Sequence, residues 1–280
     1  MIQWYPGHMA KAKKLLQDNL KLIDIVIEVV DARAPNSTRN PDFEQLFSDK
    51  QKVVVLNKAD LANRNVTEDW ISYFEARDTI SVGINSHSNK TTDKVINILN
   101  RVSEPFVKKA LMKGVKKTVR AMVVGIPNVG KSTFINCLAG RKKTAVGNKP
   151  GVTKGKQWVA ISKYLEILDT PGLLWPKFED PVCGKHLAYI NAINDDILNM
   201  EEISYDLYCE LGDICPEKMK ECFPYLDRNL NADDFYDTLC REKGFFLTNK
   251  EMDEKRASKY FLDTFRSGGL GRISLESPTE

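Results

Sequence analysis

The sequence predicts an α/β fold: a doubly wound, mostly parallel sheet with helices on both faces, followed by a C-terminal all-helical domain. Three observations carry this. Short β-branched runs alternate with amphipathic helical stretches through residue 172, the pattern of strands joined by helical crossovers. Each run ends in a polar loop, the place where an open parallel sheet gathers its ligand-binding groups. Beyond about Pro176 the β signal stops and only helical segments remain, so the chain divides into residues 1–177 and 178–280.

Taken in order, the start carries Trp4, Tyr5 and a Pro6-Gly7 turn signal, which predict a loop over residues 4–8. Met9, Leu15, Leu16, Leu20 and Ile23 then recur at mainly helical spacing among lysines, giving a basic amphipathic helix. The run IVIEVVD reads as a buried strand that delivers Asp31-Ala32-Arg33-Ala34-Pro35 as a polar loop, with Pro35 blocking continuation. A helix is expected over 41–47, a strand over 53–56 ending in the loop 57–60, a helix over 67–77, and a short strand through TISVGI closed by Asn85 and Ser86. Residues 90–112 read as a long helix in which Pro105, lacking an amide hydrogen, starts a new helix or kinks this one.

A strand at 121–124 enters a Gly-rich turn and a helix, and the Gly- and Lys-rich stretch 141–157 is expected to be a mobile loop. Strands at 158–161 and 164–168 complete the sheet. The helical domain is read from EEISYDLYCEL, PEKMKECF, ADDFYDTLCREKG and EKRASKYFLDTFRSG, with a frayed Gly/Ser-rich tail after Gly268.

The turn at 125–132 is the most informative stretch. Gly125, Gly130, Lys131 and Ser132 fill the pattern G-x-x-x-x-G-K-[ST] between a strand and a helix, which is a P-loop, so the fold is that of a P-loop NTPase. The glycines let successive amides wrap an anion, and the helix beginning near Lys131 adds its positive end. Val129, Gly130, Lys131, Ser132 and Thr133 therefore face the phosphates. Lys131 reaches the β- and γ-phosphates, and the Ser132 hydroxyl ligates Mg²⁺. The bland alternative is a strand-to-helix turn that binds nothing.

Asn57-Lys58-Ala59-Asp60 ends another strand. A carboxylate at Asp60 can accept from both the ring imide and the exocyclic amine of guanine, a donor pair adenine lacks, and so would select GTP over ATP. Lys58 can lie over the base, and Asn57 can tie this loop to the P-loop; a solvated turn is the plain alternative. Asp169-Thr170-Pro171-Gly172 ends a third strand, where Asp169 would hold Mg²⁺ through a water and the Gly172 amide would meet the γ-phosphate. Thr153, in PGVT, would give the same metal a hydroxyl.

Composition bounds the rest. A net charge of +3 over 280 residues is too small for a general nucleic-acid coat. No apolar run approaches the ~20 residues of a membrane span, and the start has no signal-peptide pattern. The six cysteines form no C-x-x-C pair, which fits reduced thiols in the cytoplasm. Lys11, Lys13 and Lys14, the basic hinge at 108–120 and the loop at 141–156 put positive charge on the first domain, a natural match to phosphate backbones.

The motif order is unusual: NKAD at 57–60 precedes the P-loop, whereas an ordinary GTPase places its guanine-reading loop last. QWYPGHMAKA, DARAP, NKAD, the INS turn at 84–86, GIPNVGKS, KPGVTKGKQW and DTPGLLWP, in that order, resemble the YlqF/RbgA family of circularly permuted GTPases, bacterial factors for late assembly of the large ribosomal subunit. The resemblance spans residues 2–176. It implies a switch that binds GTP and GDP with Mg²⁺, hydrolyses GTP slowly alone and faster with ribosomal particles, and contacts rRNA and ribosomal proteins of the 50S subunit as a cytoplasmic monomer off the membrane.

It also implies that Asn85 and Ser86 form the fifth nucleotide loop, although the usual S-A-K is absent, and that Asn128 coordinates K⁺. Leu173 stands where many GTPases have a water-orienting Gln, so the resemblance points to His8, in a flexible loop, as the catalytic group beside Lys131. Two other readings stay open: an RNA-binding assembly chaperone that keeps guanine nucleotide as a structural ligand, and an ATPase with an accidental NKAD.

Overall fold

The computed structural model describes residues 7–88, 92–140, 157–175 and 180–279, with the side chains of His8, Thr92 and Gln157 outside that set. Among the described residues the strands are β1 (Ile25–Asp31), β2 (Gln51–Asn57), β3 (Ile80–Gly83), β4 (Val119–Val124), β5 (Gln157–Ser162) and β6 (Leu165–Asp169). They form one sheet in the order β3-β2-β1-β4-β6-β5, parallel except for β5, which runs antiparallel to β6 at the edge.

Strands covered on both faces are mostly apolar, and β1 is buried along its whole length, with Glu28 and Asp31 as its polar members. Residues 53–57 of β2 and 121–124 of β4 are buried in the same way. The register sets Asp31 beside Asn57 and Val123 beside Asp169. Five parallel strands, β1, β2, β3, β4 and β6, thus deliver their C-terminal loops to one end of the sheet.

The helices of this part are α1 (Gly7–Asn19), α2 (Asp42–Leu46), α3 (Arg64–Glu75), α4 (Thr92–Leu111) and α5 (Lys131–Ala139). The helix α1 begins at Gly7, which corrects the expected loop over 4–8: His8 lies in its first turn. Buried Met9, Ala12 and Leu16 carry the helical period back to just after the Pro-Gly signal. Pro105 starts no new helix, because α4 continues through it. The expected loops at 4–6 and 141–156, with Thr153, lie outside the described residues.

The chain forms two compact units, Met1–Glu179 with Glu276–Glu280, and Asp180–Leu275. The second is helical: α6 (Pro181–Tyr189), α7 (Met200–Ile214), α8 (Pro216–Cys222), α9 (Ala232–Lys243) and α10 (Glu254–Ser267). Leu207, Leu211, Phe235, Leu239, Phe261 and Leu262 make its fully buried centre. Asp180, Asn199, Asn231 and Asp253 cap α6, α7, α9 and α10, each accepting a backbone N–H that the first turn would leave unpaired.

The expected frayed tail is corrected as well. Leu270, Ile273 and Leu275 are buried, and Glu276 belongs to the first unit. There its carboxylate accepts the backbone N–H of Asn36 at 2.7 Å and of Ser37 at 3.1 Å, together with the Ser37 hydroxyl, while Trp70 Nε1 donates to its carbonyl at 3.3 Å. Polar contacts of this kind hold a tail whose composition alone reads as loose.

Candidate functional site

The chain leaves β4 at Val124 and turns through Gly125, Asn128 and Gly130, all with positive φ, before α5 begins at Lys131. A Cβ on Gly125 would lie 2.4 Å from the Val29 carbonyl oxygen, and one on Gly130 would lie 2.4 Å from Asn57 Nδ2. The loop therefore accepts no side chain at either place. Lys131 is buried and donates to the Ile126 carbonyl at 2.7 Å. Burial pulls its ammonium down to about 8, and Asp169 partly opposes that.

One side chain joins three loops. Asn57 Nδ2 donates to the Val129 carbonyl at 2.8 Å, and Asn57 Oδ1 accepts the Ser86 hydroxyl at 2.8 Å and the Ser86 N–H at 3.3 Å. The Ala59 N–H donates to the Ile84 carbonyl at 2.9 Å, a second tie between the same loops. Asn85 holds its own turn through His87 N–H at 2.8 Å. Asp60 is half-buried in this cluster. Lys58 has φ 59°, and its ammonium sits 2.9 Å from Asp31 Oδ2.

The end of β6 meets the P-loop from the other side. Ser132 Oγ donates to Asp169 Oδ2 at 3.0 Å, Thr170 Oγ1 donates to the Val123 carbonyl at 2.6 Å, and the Leu173 N–H donates to the Gly125 carbonyl at 3.2 Å. A Cβ on Gly172 would lie 2.7 Å from Pro127 N and 3.0 Å from Lys131 Nζ, so this glycine admits the close approach of backbone and ammonium. Asp169 Oδ1 is buried and has no hydrogen-bond partner among the described residues. Burial raises the Asp169 pKa, against the pull of Ser132 and Lys131. An orphaned carboxylate oxygen beside a hydroxyl is a hard-oxygen donor set that fits Mg²⁺.

Thr133 stands in the first turn of α5 and Val129 is buried below the loop. Thr153 and the His8 side chain lie outside the described residues. Two groups carry no role in the sequence reading. Asn40 Nδ2 donates to the Leu173 carbonyl at 3.0 Å, for which a lone Asn gives no signal. Asp31 and Arg33 form a buried pair, 2.9 Å between Arg33 Nη2 and Asp31 Oδ2, visible in sequence only as a polar loop. A groove of about 670 Å³ between α3 and α4, lined by Glu75, Asp78, Lys94 and Arg101, opens at the N-terminal end of β3 and includes none of these loops.

A parallel sheet whose strand ends bring together a P-loop, an N-K-x-D loop and a D-x-x-G loop defines a P-loop GTPase. The family model described as 50S ribosome-binding GTPase matches residues 120–225. The chain is 38% identical to ribosome biogenesis GTPase A of Bacillus cereus, covering all of this chain and 95% of the relative. It is 30% identical to that of Thermotoga maritima, with the same coverage. GNP-bound YlqF from T. maritima is similar in structure, with TM-score 0.67, 25% identity, and 96% of this chain and 99% of that one covered. The chain belongs to the ribosome biogenesis GTPase A family.

Proposed function

We propose that the protein is a GTP-dependent switch that assists late assembly of the large (50S) ribosomal subunit in the cytoplasm, as a monomer. The observation that carries the reading is the Asn57 side chain, which bridges Val129 of the P-loop to Ser86 and so sets Asp60 and Lys131 in neighbouring loops. In this reading Asp60 pairs with guanine, with Lys58, Asn85 and Ser86 beside it. The amides of Val129, Gly130, Lys131, Ser132 and Thr133 cradle the phosphates, and the Gly172 amide meets the γ-phosphate. Ser132, Asp169 and Thr153 hold Mg²⁺, which neutralises charge on the phosphates, and Asn128 takes K⁺.

Leu173 is buried and offers no hydrogen bond to water, so hydrolysis alone is slow and a further group must orient the nucleophile. His8 is that group, brought to the γ-phosphate when a ribosomal particle rearranges the start of α1. The surface offered to rRNA includes the turn between α4 and β4. Lys108, Lys109, Lys113 and Lys116 are exposed there beside Leu111, Met112 and Val115.

The test is GTP turnover with and without 50S particles, in K⁺ and in Na⁺, with ATP as competitor. Stimulation by particles and K⁺, no competition by ATP, and its loss in His8→Ala at unchanged GDP affinity are expected. Unstimulated turnover would favour the chaperone reading, and unchanged stimulated kcat in His8→Ala would remove His8 from the mechanism.

A further inference from the structure

The loop after β1 contains a buried charge cluster that phosphate and metal binding do not use. Asp31 closes β1 with no exposure, and Arg33 is 2% exposed. The Nε–Nη2 edge of Arg33 engages the carboxylate, Nε to Oδ1 at 2.9 Å and Nη2 to Oδ2 at 2.9 Å, and the Arg33 N–H adds a third bond to Oδ1 at 3.1 Å. The Asp31 N–H is itself fixed by Thr38 Oγ1 at 3.0 Å. Asp31 Oδ2 keeps room for one more cation and takes Lys58 Nζ at 2.9 Å.

Two cations on one buried carboxylate are a poor device for stability, since desolvating three charges offsets most of their attraction. What the cluster does supply is direction. The fork of Arg33 fixes the plane of the Asp31 carboxylate, and that plane fixes where the Lys58 ammonium can sit. With its backbone at φ 59° and its tip held, Lys58 spans the loop that carries Asp60 in one conformation.

We propose that Asp31 and Arg33 are positioning residues for guanine recognition, acting by holding Lys58 so that its aliphatic stem lies ready beneath the base. This rests on the reading of Asn57 to Asp60 as the guanine loop. Loss of the hold leaves the phosphate cradle intact and loosens only the base end of the site.

The experiment measures GDP affinity, the KM and kcat for GTP, and inhibition by inorganic tripolyphosphate, which has no base, in wild type, Asp31→Asn and Arg33→Lys. Asp31→Asn is expected to weaken GDP about tenfold and raise KM by a similar factor, with kcat and tripolyphosphate inhibition unchanged. Arg33→Lys keeps a cation and shifts GDP affinity the same way by less; it carries the test should Asp31→Asn not fold. Wild-type GDP affinity in a folded variant overturns the proposal, as does a parallel loss of GDP and tripolyphosphate binding.

Asp60→Asn separates the two readings. Its amide can donate to the 2-oxo group of xanthine, so it should exchange GDP for xanthosine diphosphate. If it does while the other variants bind GDP normally, the positioning role alone fails; if it does not, the guanine-loop reading fails and takes the positioning role with it.

Discussion

Lys131 shows how much a single side chain's surroundings decide. An ordinary lysine titrates near 10.5, and burial in the P-loop holds this one at about 8. The folded protein therefore binds its proton less tightly than the unfolded chain does. Between about pH 8 and 10.5 the unfolded chain carries more protons, so Lys131 makes stability rise with pH through that window. Lys131→Met should remove this rise, as read from urea unfolding at pH 7.5 and 9.5. Phosphate favours the charged ammonium, so GDP binding should take up a proton and weaken as pH climbs above about 8, checked by titration across that range. Among single residues, Gly125, Gly130, Lys131 and Asp169 are legible in sequence because their chemistry is tied to fixed spacing. Asn40 and Arg33 are not, since their partners are set by tertiary contact rather than by neighbours in the chain.

Among the elements, the strands are the most legible. β1, β2 and β4 are covered on both sides and so carry short, mostly β-branched apolar stretches, which show as strands even though Glu28 interrupts the one in β1. Helix α6 is absent from the sequence reading because Gly184 and a short span blur its period; the signal that could find it is Asp180 before Pro181, a cap followed by the residue best suited to a first turn. α6 is also fastened from outside. Arg266 on α10 donates from Nε to the Tyr189 carbonyl at 2.9 Å and from Nη2 to the Ala188 carbonyl at 2.8 Å, and pairs with Asp195 at 2.8 Å. Arg266 is 11% exposed, so Arg266→Ala would take the side-chain donor from the Tyr189 carbonyl and the Asp195 carboxylate, while the Ala188 carbonyl keeps the Asn191 N–H. A loss of about 3 kcal/mol is expected in urea unfolding, with GDP affinity at saturation unaltered.

At the scale of the whole molecule, the order of motifs along the chain and their order around the sheet are different things. β2 and β4 both flank β1, so NKAD and the P-loop meet through Asn57 although the chain visits them in reverse of the usual sequence. The order in which the motifs follow one another is readable from the sequence alone. The return of the tail is not, because a Gly/Ser-rich composition hides three buried apolar residues and the Glu276 carboxylate. Glu276→Ala should cost about 1–2 kcal/mol in urea unfolding by removing the acceptor that the buried Ser37 amide and hydroxyl use, while the exposed Asn36 amide turns to water.

That return also changes what counts as a fragment. The helical segment is spliced into the GTPase unit and not appended behind it, because the polypeptide departs at Asp180 and comes home at Glu276. Cutting after residue 179 yields an amputated unit; a faithful isolate would rejoin the last residues through a short artificial bridge.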